Sequence, residues 1–169
     1  MTELKTYNVL FICTGNTARS ILAEGLMSDL GSRLPDRRFT AFSAGSQPKG
    51  VVNPSALQTL ANWRIPTDGF RSKSWDEYAE PGAPKMDFVF TVCDNAAGEV
   101  CPFWPGQPMT AHWGLPDPAA VEGTDEDKSK AFLAAAVTLK RRIELMLALP
   151  LPLLDAQRIA RELKDIGLR

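Results

Sequence analysis

Cys13 and Arg19 bracket the loop Cys13-Thr14-Gly15-Asn16-Thr17-Ala18-Arg19-Ser20, a Cys-x5-Arg spacing that sits directly after the apolar run Tyr7 to Ile12. That run reads as a buried strand, and Ala18 to Leu30 carries apolar residues at helical spacing. The loop therefore falls at a strand-to-helix junction, where unpaired backbone N–H groups and the positive end of a helix dipole converge. An oxyanion held there would lie against the sulfur of Cys13, and the same field favours a thiolate over a thiol. Gly15 permits a tight turn, Arg19 offers a planar fork to two anion oxygens, and Ser20 can donate a hydrogen bond to the thiolate. This is the chemistry of a nucleophile attacking a tetrahedral oxyanion. A chance pairing of a buried cysteine with a surface arginine is the plain alternative; the flanking strand and helix argue against it.

Two further residues stand where such chemistry needs partners. Asp87 to Val92 reads as a strand closed by Cys93, and Met109 to Trp113 reads as a short strand followed by Asp117-Pro118. Arg38 to Ala44 supplies another strand, with a glycine-containing loop through Gly45 and Gly50. Asn53-Pro54 opens a helix as cap and first-turn proline. Ile65 to Pro84 is irregular, with one turn of helix near Trp75. Thr124 caps a long helix with acidic residues in its first turn and Phe132, Ala136, Leu139, Ile143 and Leu147 on its buried face. Pro150 and Pro152 break that helix, and Leu153 to Ile166 reads as a last amphipathic helix. Strands alternating with helices predict an α/β fold in three layers, a parallel sheet covered on both faces. In such sheets ligands bind at the carboxyl ends of the strands. Cys13, Cys93 and Asp117 would all face that rim.

The chain has 169 residues, net charge −1 from nineteen basic and twenty acidic residues, and three cysteines. The length suits a single domain, 1–169, with 153–169 as a helical extension. A near-zero charge recruits neither nucleic acid nor an anionic membrane. There is no signal-peptide or membrane-length apolar run, so a cytoplasmic location is expected. Three cysteines in a reducing compartment point to catalysis or redox chemistry rather than a disulfide framework.

Taken together, Cys13 to Ser20, Ser43-Ala44-Gly45, Thr91-Val92-Cys93, Cys101-Pro102 and His112-Trp113-Gly114 leading to Asp117-Pro118-Ala119 resemble the low-molecular-weight protein tyrosine phosphatase superfamily, and within it the thioredoxin-coupled arsenate reductases. The resemblance runs from about Tyr7 to Leu149; the final helix lies beyond the usual family length. It implies a four-stranded parallel sheet, with Cys13 as nucleophile, Thr14, Gly15, Asn16, Thr17, Ala18, Arg19 and Ser20 binding arsenate, and Asp117 as general acid. It also implies a relay in which Cys93 attacks the Cys13–arsenate adduct, releasing arsenite. Cys101 then takes over the disulfide and presents it to thioredoxin or a similar dithiol reductant, with no cofactor bound and the protein a monomer or weak dimer.

Departures from the family pattern carry their own expectations. Seven residues separate Cys93 from Cys101, one more than in the best-known thioredoxin-coupled relatives, and Ala18 replaces a loop cysteine of some relatives. Some relatives hold potassium beside the loop; Asn16, Glu24 and Ser43 match, but Ser74 stands in place of an aspartate, which argues against a strong site. Ala119-Ala120 leave no aromatic platform for a phosphotyrosine ring. Zinc on Cys93, Cys101 and His112 has only three ligands at unusual spacing, so no metal is expected. His112 reads as structural. A phosphatase with protective thiols, and a non-enzymatic oxyanion-binding redox sensor, are the competing functions.

Overall fold

Four parallel strands in the order β2-β1-β3-β4 form the middle layer. They are β1 (Lys5–Cys13), β2 (Arg37–Gly45), β3 (Phe88–Thr91) and β4 (Met109–His112). The helices are α1 (Arg19–Gly31), α2 (Pro54–Asn62), α3 (Asp125–Leu147) and α4 (Ala156–Ile166), with single 3-10 turns at Trp75–Tyr78, Pro118–Ala120 and Leu151–Leu153. The structure, a computed structural model, describes residues 4–93 and 104–169.

The alternation of side chains along the strands explains the layering. Tyr7, Val9 and Phe11 of β1 share a face with their register partners Phe39, Ala41 and Ser43 of β2 and with Phe88 and Phe90 of β3. On that face Phe11, Phe90 and Trp113 form an aromatic cluster, with Phe90 and Trp113 stacked at 3.9 Å between ring centroids. Trp113 is fully buried there. Helix α1 covers the same face through Glu24, which meets Ser43, and it packs against α3. Because α1 lies between sheet and neighbouring helices, Ile21, Leu22, Ala23, Leu26 and Met27 are all buried. Phe42 points to the opposite face, where Tyr78 packs on it at 5.4 Å.

The expected elements are present, with one boundary corrected. Leu153 does not belong to the last helix: Leu151–Leu153 is a separate 3-10 turn, and Asp155 caps α4 by accepting from the Arg158 N–H. Pro152 inside the apolar run holds that turn apart, and an aspartate is a stronger N-cap than a leucine. The order β2-β1-β3-β4 also sets the site. The chain leaves β1 for one side of the sheet and later returns on the other, so a crevice opens between the carboxyl ends of β1 and β3.

Candidate active site

Register places the chemistry. Ile12 pairs with Thr91, and the Val92 N–H donates to the Ile12 carbonyl, so Thr14 comes alongside Cys93 as both strands end. The Thr14 N–H points at Cys93 Sγ at 3.3 Å, and Thr14 Oγ1 lies 3.6 Å from the same sulfur. Cys13 and Cys93 are both buried, at 4% and 2% exposure, although both terminate strands at the rim. β4 runs beside β3 beyond its last residue, through Trp113 N–H to Thr91 O and Leu115 N–H to Val92 O. That brings the loop ahead of Asp117 to the same rim.

The loop between β1 and α1 is held by polar contacts rather than packing. Cys13 Sγ lies 2.9 Å from Ser20 Oγ, which also accepts from Asn16 Nδ2 at 2.7 Å. Asn16 adopts φ 48°, a left-handed conformation that asparagine tolerates better than most residues. Fully buried, it also donates to Ser43 Oγ and accepts from the Lys73 N–H. The outer edge is pinned by Gln47 N–H to Thr14 O, Lys49 N–H to Gly15 O and Asn53 N–H to Thr17 O. A Cβ on Gly45 would stand 2.5 Å from the Thr14 carbonyl, so only glycine lets β2 end against the loop. Ala18, the N-cap of α1, makes no side-chain cap, and α1 has no acidic residue in its first turn. The first-turn amides are thereby left for an anion.

Arg19 and Asp117 face each other across the crevice. Arg19 Nη1 donates to the Leu115 carbonyl at 3.0 Å, and Nη2 lies 3.7 Å from Asp117 Oδ2. The other carboxylate oxygen, Oδ1, accepts from the Ala119 N–H at 3.0 Å and caps the Pro118–Ala120 turn. The turn role and the crevice-facing role thus use different oxygens. Thr14 to Ser20, Cys93 and Asp117 come together as the spacing suggested. Cys101 lies outside the described residues. His112, whose Nδ1 lies 2.8 Å from Thr91 Oγ1, ties β4 to β3.

Beneath the loop lies a charge that sequence reasoning missed. Asn16, Ser43 and Glu24 are connected, Ser43 Oγ donating to Glu24 Oε1 at 2.5 Å, and Lys73 Nζ stands 4.0 Å from that oxygen. Burial pushes the Glu24 carboxyl up, opposed by the Ser43 hydrogen bond and Lys73. Burial likewise pushes the Lys73 ammonium down, opposed by Glu24. Desolvation of Tyr78 nearby, reinforced by the Glu24 charge, lifts its phenol to about 12. These residues do not fit a bound potassium ion: the Ser74 hydroxyl accepts from the Asp76 N–H as a cap, and the Lys73 ammonium already faces the carboxylate. No pattern around Lys73 in the sequence signals this contact. Lys73→Met is expected to destabilise the fold by about 3 kcal/mol, since a buried carboxylate loses its partner. Adding Glu24→Gln to that variant should restore most of the loss in thermal melts.

Three comparisons place this geometry among known proteins. The family model for low molecular weight phosphotyrosine protein phosphatases matches residues 8–162. An arsenate reductase of Halalkalibacterium halodurans is 35% identical over 136 residues, covering 80% of this chain and 91% of the relative. Among solved structures, the low molecular weight protein tyrosine phosphatase of T. tengcongensis superposes with TM-score 0.65 at 23% identity, covering 82% of this chain and 95% of that one. A Corynebacterium glutamicum thioredoxin-dependent arsenate reductase gives TM-score 0.54 at 23% identity, over 85% of this chain and 65% of that one. At such identities the superpositions speak to the fold, which is the four-stranded parallel sheet described above. The match over residues 8–162, which includes the Cys-x5-Arg loop folded between β1 and α1, makes this protein a member of the low molecular weight phosphotyrosine protein phosphatase family.

Proposed function

We propose that the protein reduces arsenate to arsenite by a three-thiol relay, with electrons supplied by thioredoxin or a similar dithiol reductant. The curated relative at 35% identity is named an arsenate reductase. The observation that carries the relay is the placement of Cys93 Sγ against the Thr14 amide, at the loop that would hold the anion. A phosphoester hydrolase needs water there; a second thiol at that position is an electron donor.

The steps balance as follows. The Cys13 thiolate attacks arsenic in arsenate, and one oxygen leaves as water, with Asp117 supplying a proton to it. Arg19 and the first-turn amides of α1 hold the remaining oxygens and stabilise the charge that accumulates on them. The Cys93 thiolate then attacks the Cys13 sulfur. The S–As bond breaks with its electron pair on arsenic, so arsenic falls from the +5 to the +3 state and a Cys13–Cys93 disulfide forms. Cys101 attacks Cys93 next, frees the Cys13 thiolate, and leaves a Cys93–Cys101 disulfide for the external dithiol. Ser20, at 2.9 Å from Cys13 Sγ, stabilises the thiolate both before attack and on release.

Peptide mapping by mass spectrometry tests this sequence. After arsenate exposure without reductant, the wild-type protein is expected to hold a Cys93–Cys101 disulfide with Cys13 free to alkylation. Three free thiols together with released arsenite would overturn the relay.

A further inference from the structure

From sequence α4 is expected to lie beyond the family pattern, but the family model runs into it, to residue 162, and the helix reaches the loop that presents Asp117. The Trp113 indole N–H donates to the Leu163 carbonyl at 2.9 Å. A Cβ on Gly167 would sit 2.4 Å from the His112 carbonyl, so the helix end lies flush against the end of β4. Between the two is Arg142 of α3, only 6% exposed. Its Nη1 donates to the carbonyls of Trp113 at 2.8 Å and Gly114 at 3.1 Å, and its Nε donates to the Arg169 carbonyl at 3.2 Å.

This arrangement is costly. Burial and the neighbouring Arg141 push the Arg142 guanidinium down, and among the described residues no Asp or Glu side chain pairs with it; its hydrogen bonds go to main-chain oxygens of Trp113, Gly114 and Arg169. A buried guanidinium held by main-chain oxygens rather than by an acidic side chain depends on those hydrogen bonds, and a methionine of similar volume would avoid the desolvation. The space between the loop and α3, which Arg142 itself lines, is loosely filled. An apolar groove of about 320 Å³ lies between Leu115, Pro116, Pro118 and Val121 and the Ala131 and Ala135 side of α3. Hydrogen bonds therefore carry much of the placement of the loop: Leu115 N–H to Val92 O and Arg19 to Leu115 O on the β3 and α1 side, and Arg142 to Trp113 O and Gly114 O on the α3 side.

We propose that Arg142, braced by α4, is a positioning residue that sets Asp117 over the oxyanion loop, so that the C-terminal helix is part of the catalytic apparatus. This rests on the reading of Asp117 as general acid. Arg142 touches two consecutive carbonyls at the root of the loop, three residues before Asp117, and its planar fork bridges them to the chain beyond α4 in a way that a lysine cannot.

The test compares Arg142→Met, Arg142→Lys and Trp113→Phe, alone and combined with Asp117→Asn, in aryl-phosphate hydrolysis and single-turnover arsenite release. Arg142→Met is expected to lower kcat by about 10–100-fold while the inhibition constant of inorganic phosphate and the rate of Cys13 alkylation hold. Arg142→Lys should fall between Met and wild type, and Trp113→Phe, which keeps a large buried ring, gives a smaller loss of the same kind if Arg142→Met fails to fold. In the Asp117→Asn background none of these changes should reduce kcat further. An equal loss in that background, or a loss seen in phosphate binding instead of kcat, overturns the brace alone. An unchanged kcat for Asp117→Asn by itself overturns the acid assignment, and the proposal with it.

Discussion

Replacing Cys13 with serine is expected to remove arsenate turnover and aryl-phosphate hydrolysis together, each by about 10⁴-fold or more. The reason is local. Cys13 is the residue whose side chain stands at the start of the anion loop, held 2.9 Å from Ser20, with the uncapped N-terminus of α1 ahead of it. A serine hydroxyl at that point has no adjacent base to activate it: Ser20 and Asn16 present hydroxyl and amide groups, and Arg19 cannot accept a proton. The loop amides and Arg19 are untouched by the change, so inorganic phosphate should still bind with its wild-type affinity. Steady-state kinetics with both substrates, together with phosphate binding by calorimetry, checks the two halves of this expectation.

The second large effect separates reduction from hydrolysis. Cys93→Ser is expected to bring single-turnover arsenite release down to the buffer background while leaving aryl-phosphate hydrolysis close to wild type. Oxygen in place of sulfur cannot form the disulfide that returns two electrons to arsenic, whereas hydrolysis of a phosphocysteine needs only water and a proton-transfer group. Cys93 Sγ makes its contacts with the Thr14 N–H and hydroxyl, which a serine oxygen can replace, so the loop should keep its shape. If arsenite release survives the substitution, Cys93 is a protective thiol and the phosphatase reading gains. Loss of both activities would place Cys93 in the architecture of the loop instead.

Much of the fold was legible because its signals are local. The apolar runs ending at Cys13 and Cys93 announced β1 and β3, and Asn53-Pro54 and Thr124 announced the starts of α2 and α3 through cap chemistry that depends on a few adjacent residues. The rim location of Cys13, Cys93 and Asp117 followed from each standing after a strand of an expected parallel sheet. The site was harder to read where it depends on long-range placement. Nothing near Lys73 in sequence says that its ammonium meets Glu24 beneath the loop, because that contact joins residues 49 positions apart. Arg142 reads from sequence as one more basic residue on a charged helix. Its burial follows from α4 folding back onto β4, which the amphipathic pattern of Ala156–Ile166 implied but could not direct. The start of α4 was misread because Leu153 fits the apolar period, while the capping aspartate two residues later sets the boundary.

Asp117 shows how a bland reading and a chemical one can hold at once. Asp-Pro pairs favour turns, and Oδ1 does cap the turn that follows. That capping bond fixes the side-chain orientation, and Oδ2 is thereby presented to Arg19 at 3.7 Å. In the proposed mechanism the capped oxygen serves position and the other is left for proton transfer.

The central claim is that the thiol at the end of β3 can reach the sulfur at the end of β1 once arsenic is bound there. Blocking the later exchange isolates that step. The Cys101→Ser protein, given arsenate without any reductant, is expected to release a single equivalent of arsenite and to carry a Cys13–Cys93 disulfide in its tryptic map. Arsenite release with Cys13 and Cys93 both still open to alkylation would contradict the account.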